Sequence, residues 1–369
     1  MARAPGPLLD CRPVRSASKA PSRGDKGCAL AVNVLACERW IEAYLPFLRD
    51  AIESPVDLGI VPSTKDDDVC PLLADADIAI TQYFTPAMGR SAQRLRLVLA
   101  PGAGYDKIDR KALPHGVVVA NTYEHERAVA EYTLMQCLAL SRELLQADAT
   151  LRRNDWSMWN PLGHPFYPEL GGKTIGIVGL GRIGREVARL AAAFDLRRIG
   201  VDLFPPPPDQ IVSLGLEFVG STRDLDRVLR ESDFVVLAVP LNDATRHLIG
   251  ARELGLMKRT AYIINPARGP VVEERALYEA LRNHTIKGAA IDAWYRYPAT
   301  LTDPLSPSIY PFDELTNVVM TPHIAGGTSS TIERRLRVTA RNVDRFVRGE
   351  PLVNVIAELS GAGPTLASV

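Results

Sequence analysis

Thr174-Ile175-Gly176-Ile177-Val178-Gly179-Leu180-Gly181-Arg182-Ile183-Gly184 is the stretch that decides the fold of this 369-residue chain. An apolar run suited to a buried strand passes directly into a glycine-spaced turn, and a helical pattern through Val187 and Leu190 leaves it. Gly179 permits the tight turn, and Gly181 lets backbone approach a pyrophosphate. Gly184 lets the helix pack closely, and the helix N-terminus supplies amide donors and the positive end of a dipole. The glycine spacing alone is a weak signal. It gains force from the strand before it, the helix after it, and Asp202 at the end of the next strand. Asp202 is expected to accept the adenosine ribose hydroxyls and to repel a 2′-phosphate. The following Leu203-Phe204-Pro205 offers no arginine to offset that repulsion, which favours NAD over NADP.

Outward from this motif the chain alternates apolar runs with amphipathic segments, as parallel sheets covered on both faces require. Downstream, strands are predicted at 174–178, 198–202, 234–238, 261–265, 289–292 and 318–320. Upstream, compact apolar runs stand at 29–35, 78–80, 97–100 and 117–120, with a helical stretch through Trp40, Tyr44, Leu45 and Phe47. Between the two series a helical pattern without Gly or Pro covers 128–145, and a polar, Trp/Pro/Gly-rich connection covers 154–172. The run Pro205 to Pro208 reads as a stiff loop after a strand. A second helical pattern, from Glu333 to Arg348, ends at Gly349 with Pro351 beyond it. Two doubly wound α/β units therefore account for nearly the whole chain, without internal repeat or coiled coil.

Composition bounds the function. Lys+Arg and Asp+Glu number 43 each, and hydrophobic residues make up 46%, as in an ordinary soluble globular protein. Neutrality removes a whole-chain electrostatic case for nucleic acid or an acidic membrane surface, and no apolar run is long enough to span a bilayer. Cys11, Cys28, Cys37, Cys70 and Cys137 are odd in number and include no Cys-x-x-Cys pair. Neither a disulfide framework nor a zinc site fits, no other metal is expected, and a reducing cytoplasm is favoured. Residues 1–27 hold six basic and two acidic groups without an apolar segment; an organelle transit peptide is the alternative, but no apolar face recurs at helical spacing and a disordered extension is the expectation. Without that stretch, the 43 of each sign become 37 basic against 41 acidic.

Further motifs identify a family. Asn265-Pro266-Ala267-Arg268-Gly269, the strand end Ala289-Ala290-Ile291-Asp292, Thr321-Pro322-His323 and Gly102-Ala103-Gly104-Tyr105-Asp106 follow the expected order. With the glycine turn, they make residues 29–357 resemble the D-isomer-specific 2-hydroxyacid dehydrogenases, relatives of phosphoglycerate and formate dehydrogenases. The resemblance implies a Rossmann NAD-binding domain at 126–323 inserted into a flavodoxin-like substrate domain split between 28–125 and 324–358. Tails at 1–27 and 359–369 flank them. It also implies a homodimer paired through the 128–142 helix, although that apolar-faced helix suits an interior place equally well.

In this resemblance Arg268 matches the catalytic arginine, whose planar fork holds a carboxylate or polarises a carbonyl. His323 matches the proton donor and acceptor, a task suited to an imidazole titrating near neutrality. Gly179, Gly181, Arg182, Ile183, Gly184, Asp202, Pro240, Thr245, Pro266 and Ala267 match the cofactor-binding positions. Asp292 matches the partner of the nicotinamide carboxamide. Ala103, Gly104, Asn121 and Gln82 match the cleft that takes a small acidic substrate. Single histidines and arginines are usually structural; their place inside these ordered motifs is what singles out this pair.

One residue departs from the pattern. Asp292-Ala293-Trp294-Tyr295-Arg296-Tyr297-Pro298 puts Tyr297 where most of the family carries the glutamate that pairs with the catalytic histidine. A phenol orients the ring but brings no negative charge, so His323 is expected to be less readily protonated than beside a carboxylate. Formate dehydrogenases also lack that glutamate, and Gln82-Tyr83-Phe84-Thr85-Pro86 resembles their Gln-Pro-Phe-x-Pro loop. NAD-dependent hydride transfer between nicotinamide and a small 2-hydroxy or 2-keto acid is the leading expectation. Oxidation of formate, phosphite or a hydroxyalkylphosphonate is the alternative within enzymes, and a non-catalytic NAD-sensing partner protein is the alternative outside them.

Overall fold

Twelve strands, all paired in parallel, form two sheets in a computed structural model that describes residues 31–298, 303–357 and 359. The basic stretch 1–27, with Cys11, lies outside the described residues, as do Cys28, Ala29, Leu30 and all of the C-terminal tail except Leu359.

The first sheet contains β1 (Val32–Ala36), β2 (Val56–Ile60), β3 (Ile78–Ile80), β4 (Leu97–Ala100) and β5 (Val118–Asn121) in the order β2-β1-β3-β4-β5. That is the flavodoxin-like order. The second contains β6 (Thr174–Val178), β7 (Arg197–Val201), β8 (Phe218–Gly220), β9 (Phe234–Leu237), β10 (Tyr262–Asn265), β11 (Gly288–Ile291) and β12 (Val318–Met320). Its order, β12-β11-β10-β9-β6-β7-β8, reverses between β6 and β9, and such a reversal opens a crevice beyond the strands' carboxyl ends. The central strands are buried on both faces, which is why their sequences read as unbroken apolar runs.

The chain visits the first sheet twice. The helix Ser329–Arg348 lays Leu336, Ala340 and Val343 on Val34, Ile78, Ile80 and Leu99. Each fully buried aliphatic side chain there is worth roughly 1.5–3 kcal/mol of transfer free energy. The return is locked by Asp344, whose buried carboxylate accepts from the Glu53 and Ser54 amides, and by a bridge between Ala120 and Val355. Gly349, at φ 69°, closes the helix where the sequence places its end, though the helix begins earlier, at Ser329.

Several sequence expectations are corrected. The strands β2 and β8 escape the apolar-run criterion: β2 is an edge strand interrupted by Asp57 and Gly59, and β8 has three residues ending in glycine. The 128–145 helix is two helices, Glu126–Ser141 and Leu144–Leu151. Glu143 breaks it at φ 49°, and its carboxylate then reaches Lys287 at 3.4 Å. The polyproline run is loop only to Pro207; Pro208 opens the helix Pro208–Ser213, where a missing N–H costs nothing.

Candidate active site

At the carboxyl end of β6 the turn is built as its glycines require. Gly179 takes φ 98°, and a Cβ there would come within 2.7 Å of the Ala238 carbonyl oxygen. A Cβ on Gly184 would collide with the Gly179 carbonyl, so helix Arg182–Ala191 can sit close only with glycine. Gly181 faces open space and caps that helix without a side chain, leaving its first amides free for an anion. These features fit a dinucleotide pyrophosphate. Asp202 follows β7 and accepts from the Phe204 amide at 2.8 Å and from the Leu180 amide, so it also ties the turn to the next strand. The Arg182 guanidinium stacks over the Tyr123 ring, 4.4 Å from its centroid. Thr245 donates to the Pro240 carbonyl at 2.6 Å, closing the loop after β9.

A cleft of about 890 Å³ takes Gln82, Gly104, Arg268, Tyr297 and His323 into one wall system. Its floor on the first-sheet side is the turn after β4. Asn121 donates to the Ala103 carbonyl at 2.8 Å, and Thr122 donates to that of Ala100 at 3.3 Å. The Asn121 side chain thus braces the turn at the Ala103 carbonyl, and neither the Ala103 nor the Asn121 side chain lines the cleft. The Asn121 Oδ1 atom is buried without a hydrogen-bond partner among the described residues. A Cβ on Gly102 would meet Gln82 Nε2 at 2.5 Å, and one on Gly104 would occupy the place of the Arg268 guanidinium. The glycines thus let Gln82 and Arg268 lie against the turn itself.

Arg268 leaves β10 through a loop closed by Asn265, which accepts from the Ala267 amide at 3.1 Å and donates to the Arg268 carbonyl at 2.9 Å. Pro266 and Ala267 form the bend of that loop. The guanidinium donates to Asp106 Oδ1 from Nη2 at 3.1 Å and Nε at 3.3 Å, and to the Ala267 carbonyl from Nη1 at 2.8 Å.

His323, at φ 59°, stands in the loop after β12. Asp292 follows β11, wholly buried, and clamps this loop. Its carboxylate accepts from Thr321 Oγ1 at 2.7 Å, the Ile324 amide at 2.8 Å and the Ala325 amide at 2.9 Å. Trp294 donates its indole N–H to the Thr321 carbonyl at 2.9 Å. Tyr297 Oη lies 2.8 Å from His323 Nδ1 and accepts the Trp294 amide at 3.0 Å.

The imidazole keeps solvent-accessible surface, yet protein atoms crowd it on the cleft side. That desolvation, followed by the Arg268 cation, holds its pKa below the ordinary value; Lys107 adds to the effect, while Asp292 and Asp106 oppose it. The Tyr297 phenol is pushed up by burial, so it stays neutral.

Sequence reasoning misses three neighbours. Tyr83, Asp106 and Lys107 line the same cleft, and the signal for the last two lies in the turn motif itself, since Asp106 closes it and Lys107 follows. His125, a buried helix-capping residue, is also missed. Burial, followed by the Arg335 cation, pushes its pKa down to about 3, so it stays neutral beside the cationic site. Among the described residues no group of His, Cys, Asp and Glu is arranged to hold a metal ion.

Comparison with known proteins places this architecture. The family model described as the D-isomer specific 2-hydroxyacid dehydrogenase, NAD binding domain, matches residues 134–325. D-3-phosphoglycerate dehydrogenase of Methanocaldococcus jannaschii is 33% identical over 330 residues, which are 88% of this chain but 59% of that protein. The chain therefore spans less than two thirds of that relative. Glyoxylate reductase of Korarchaeum cryptofilum is 38% identical over 283 residues, 75% of this chain and 80% of that one. Among solved structures, D-lactate dehydrogenase of Aquifex aeolicus, complexed with NAD and lactic acid, is 26% identical at a TM-score of 0.74. The match covers 86% of this chain and 96% of that one.

Proposed function

Because this chain belongs to the D-isomer-specific 2-hydroxyacid dehydrogenases, a family of NAD-dependent oxidoreductases acting on CH–OH groups, we propose that it interconverts a small 2-hydroxy acid and its 2-keto acid. The observation that carries this reading is the meeting of Arg268, the Gly102–Gly104 turn and the Tyr297–His323 pair in one cleft. Bound NADH supplies the hydride to the substrate carbon.

The remaining tasks fall to the chain. Arg268 and the amides of Ala103 and Gly104 hold the substrate carboxylate, with Gln82 beside them. A carboxylate there competes with Asp106 for the same guanidinium edge, so binding exchanges one charge-assisted pair for another. Tyr297 Oη accepts the Trp294 amide and faces His323 Nδ1, which leaves Nε2 to face the substrate oxygen. As the neutral base His323 keeps its proton on Nδ1, donated to Tyr297 Oη, with Nε2 free to take a proton; as the imidazolium it carries one proton on each nitrogen. In reduction the His323 imidazolium gives its Nε2 proton to that oxygen as the carbon receives the hydride; in oxidation the neutral imidazole takes the proton back at Nε2. Arg182, Ile183 and the three turn glycines hold the pyrophosphate, Asp202 the ribose, and Pro240, Thr245, Pro266 and Ala267 line the rest of the cofactor's path. Asp292 uses three of about four acceptor sites on protein donors, leaving one for the nicotinamide carboxamide.

We read the protein as a homodimer of a reducing cytoplasm. Met135, Leu144, Leu145, Trp156 and Phe166 are exposed apolar residues of the helical arm and its connection, the surface that a second copy would cover. Cys37, Cys70 and Cys137 are free thiols, and no helix among the described residues is long and apolar enough to cross a membrane.

The test is a substrate panel. NADH oxidation by glyoxylate, pyruvate or hydroxypyruvate is the expected outcome, lost on Arg268→Gln and on His323→Gln. Reduction of NAD by formate, phosphite or a hydroxyalkylphosphonate, with no keto acid consumed, replaces the reading with the alternative enzyme. NADH binding without turnover of any acid replaces it with a sensor.

A further inference from the structure

Lys107 is three residues beyond Gly104 and has no part in the mechanism above. Its backbone is fixed across the loop: the Phe84 amide donates to the Lys107 carbonyl at 3.1 Å, and Phe84 bridges Ile108. The ammonium donates to Tyr83 Oη at 2.7 Å and lies 4.5 Å from the centre of that ring. It also stands 5.4 Å from the centre of the Tyr297 ring, the residue that holds the catalytic histidine. Two of its three donors are left for something in the cleft. Among the described residues no carboxylate forms an ion pair with it.

The charge of the cleft is one-sided. Among the described residues that line it, Lys107, Arg268 and Arg296 stand against one carboxylate, Asp106, which Arg268 already engages. Lys107 is exposed, and a monoanionic acid seated on Arg268 has no second anionic group to offer its ammonium. We propose that Lys107, with Tyr83 beside it, forms a second anion subsite, and that the substrate is a dianionic 2-keto acid. Its α-carboxylate goes to Arg268 and the amide turn, and a second carboxylate or a phosphate at its far end goes to Lys107. The proposal rests on the dehydrogenase reading and names the substrate class of that same site.

Steady-state NADH oxidation tests it with two monoanions, glyoxylate and pyruvate, and two dianions, oxaloacetate and phosphohydroxypyruvate. The expected result is a kcat/KM at least about tenfold higher for one dianion, the usual worth of one hydrogen bond to a charged group. Which dianion leads tells carboxylate from phosphate. Lys107→Met should lower the dianion-to-monoanion ratio about tenfold, chiefly through KM, and Lys107→Arg should keep it within about threefold. Turnover of the monoanions without a dianion preference, or a ratio untouched by Lys107→Met, overturns the subsite and leaves the dehydrogenase reading standing. No turnover of any of the four while NADH still binds overturns both.

Discussion

A phenol hydrogen-bonded to an imidazole sets a different proton affinity from a carboxylate in the same place. Tyr297 Oη sits 2.8 Å from His323 Nδ1, contributes no charge, and leaves desolvation and the Arg268 cation to hold the histidine below its ordinary value. Keto-acid reduction consumes the imidazolium proton, so its kcat/KM should fall as pH rises, with a midpoint acid of the unperturbed histidine. Hydroxy-acid oxidation, which needs the free base, should already be open at that pH. Tyr297→Glu should move the midpoint alkaline by about 1 to 3 pH units, the effect of a nearby carboxylate. A pH profile of the reduction that does not move on this substitution contradicts the pairing. At this scale the sequence is informative wherever the residue type is itself the message. Tyr297 stands one residue before Pro298 in a motif that otherwise carries glutamate, and that departure is readable. Lys107 is not, because only folding brings it between Tyr83 and Tyr297.

Elements place these residues through backbone groups as much as through side chains. Asp292 follows β11 and grips Thr321, Ile324 and Ala325 of the loop after β12, so the histidine between them is positioned by a carboxylate that does not touch it. Asp292→Ala leaves the Ile324 and Ala325 amides without acceptors, while the Thr321 hydroxyl keeps Tyr132 Oη as a partner. Denaturant unfolding should show a loss on the order of 2–4 kcal/mol, the scale of charged hydrogen bonds left unmade. Turnover should fall with it as the His323 loop loosens. An unchanged midpoint in the melt would show that the clamp does not hold the loop. The strands β6, β9, β10 and β11 are legible as apolar runs because both faces are covered. The edge strands β2 and β8 are not, since a half-exposed strand tolerates Asp57 or a terminal Gly220. The break at Glu143 escapes as well: nothing local forbids helix there, and its ion pair with Lys287 is a long-range contact.

For the whole molecule, neutrality conceals a division of charge. Residues 1–27 supply six of the 43 basic groups and two of the 43 acidic ones, so the remainder is mildly acidic while its cleft is cationic. An acidic substrate is therefore attracted locally, by Arg268 and Lys107, and not by a long-range field. The sheet orders follow from short right-handed crossovers, which an alternating pattern already implies, but the return of helix Ser329–Arg348 to the first sheet is evident only by family resemblance. The same holds for assembly. Phe166 is 87% exposed and Leu145 54%, on a stretch joining the two α/β units, and a lone protomer would keep that apolar surface in water. Covering it with a second copy needs roughly 800 Å² from each protomer. Sedimentation equilibrium should give twice the 40.3 kDa chain mass. Leu145→Glu combined with Phe166→Glu should bring the mass to that of one chain, since both side chains are exposed in the protomer and the fold loses little. Burying two carboxylates against their symmetry mates should weaken association by at least about a hundredfold. A wild-type protein already monomeric at micromolar concentration would refute the dimer, and a double variant that stays dimeric would move the interface elsewhere.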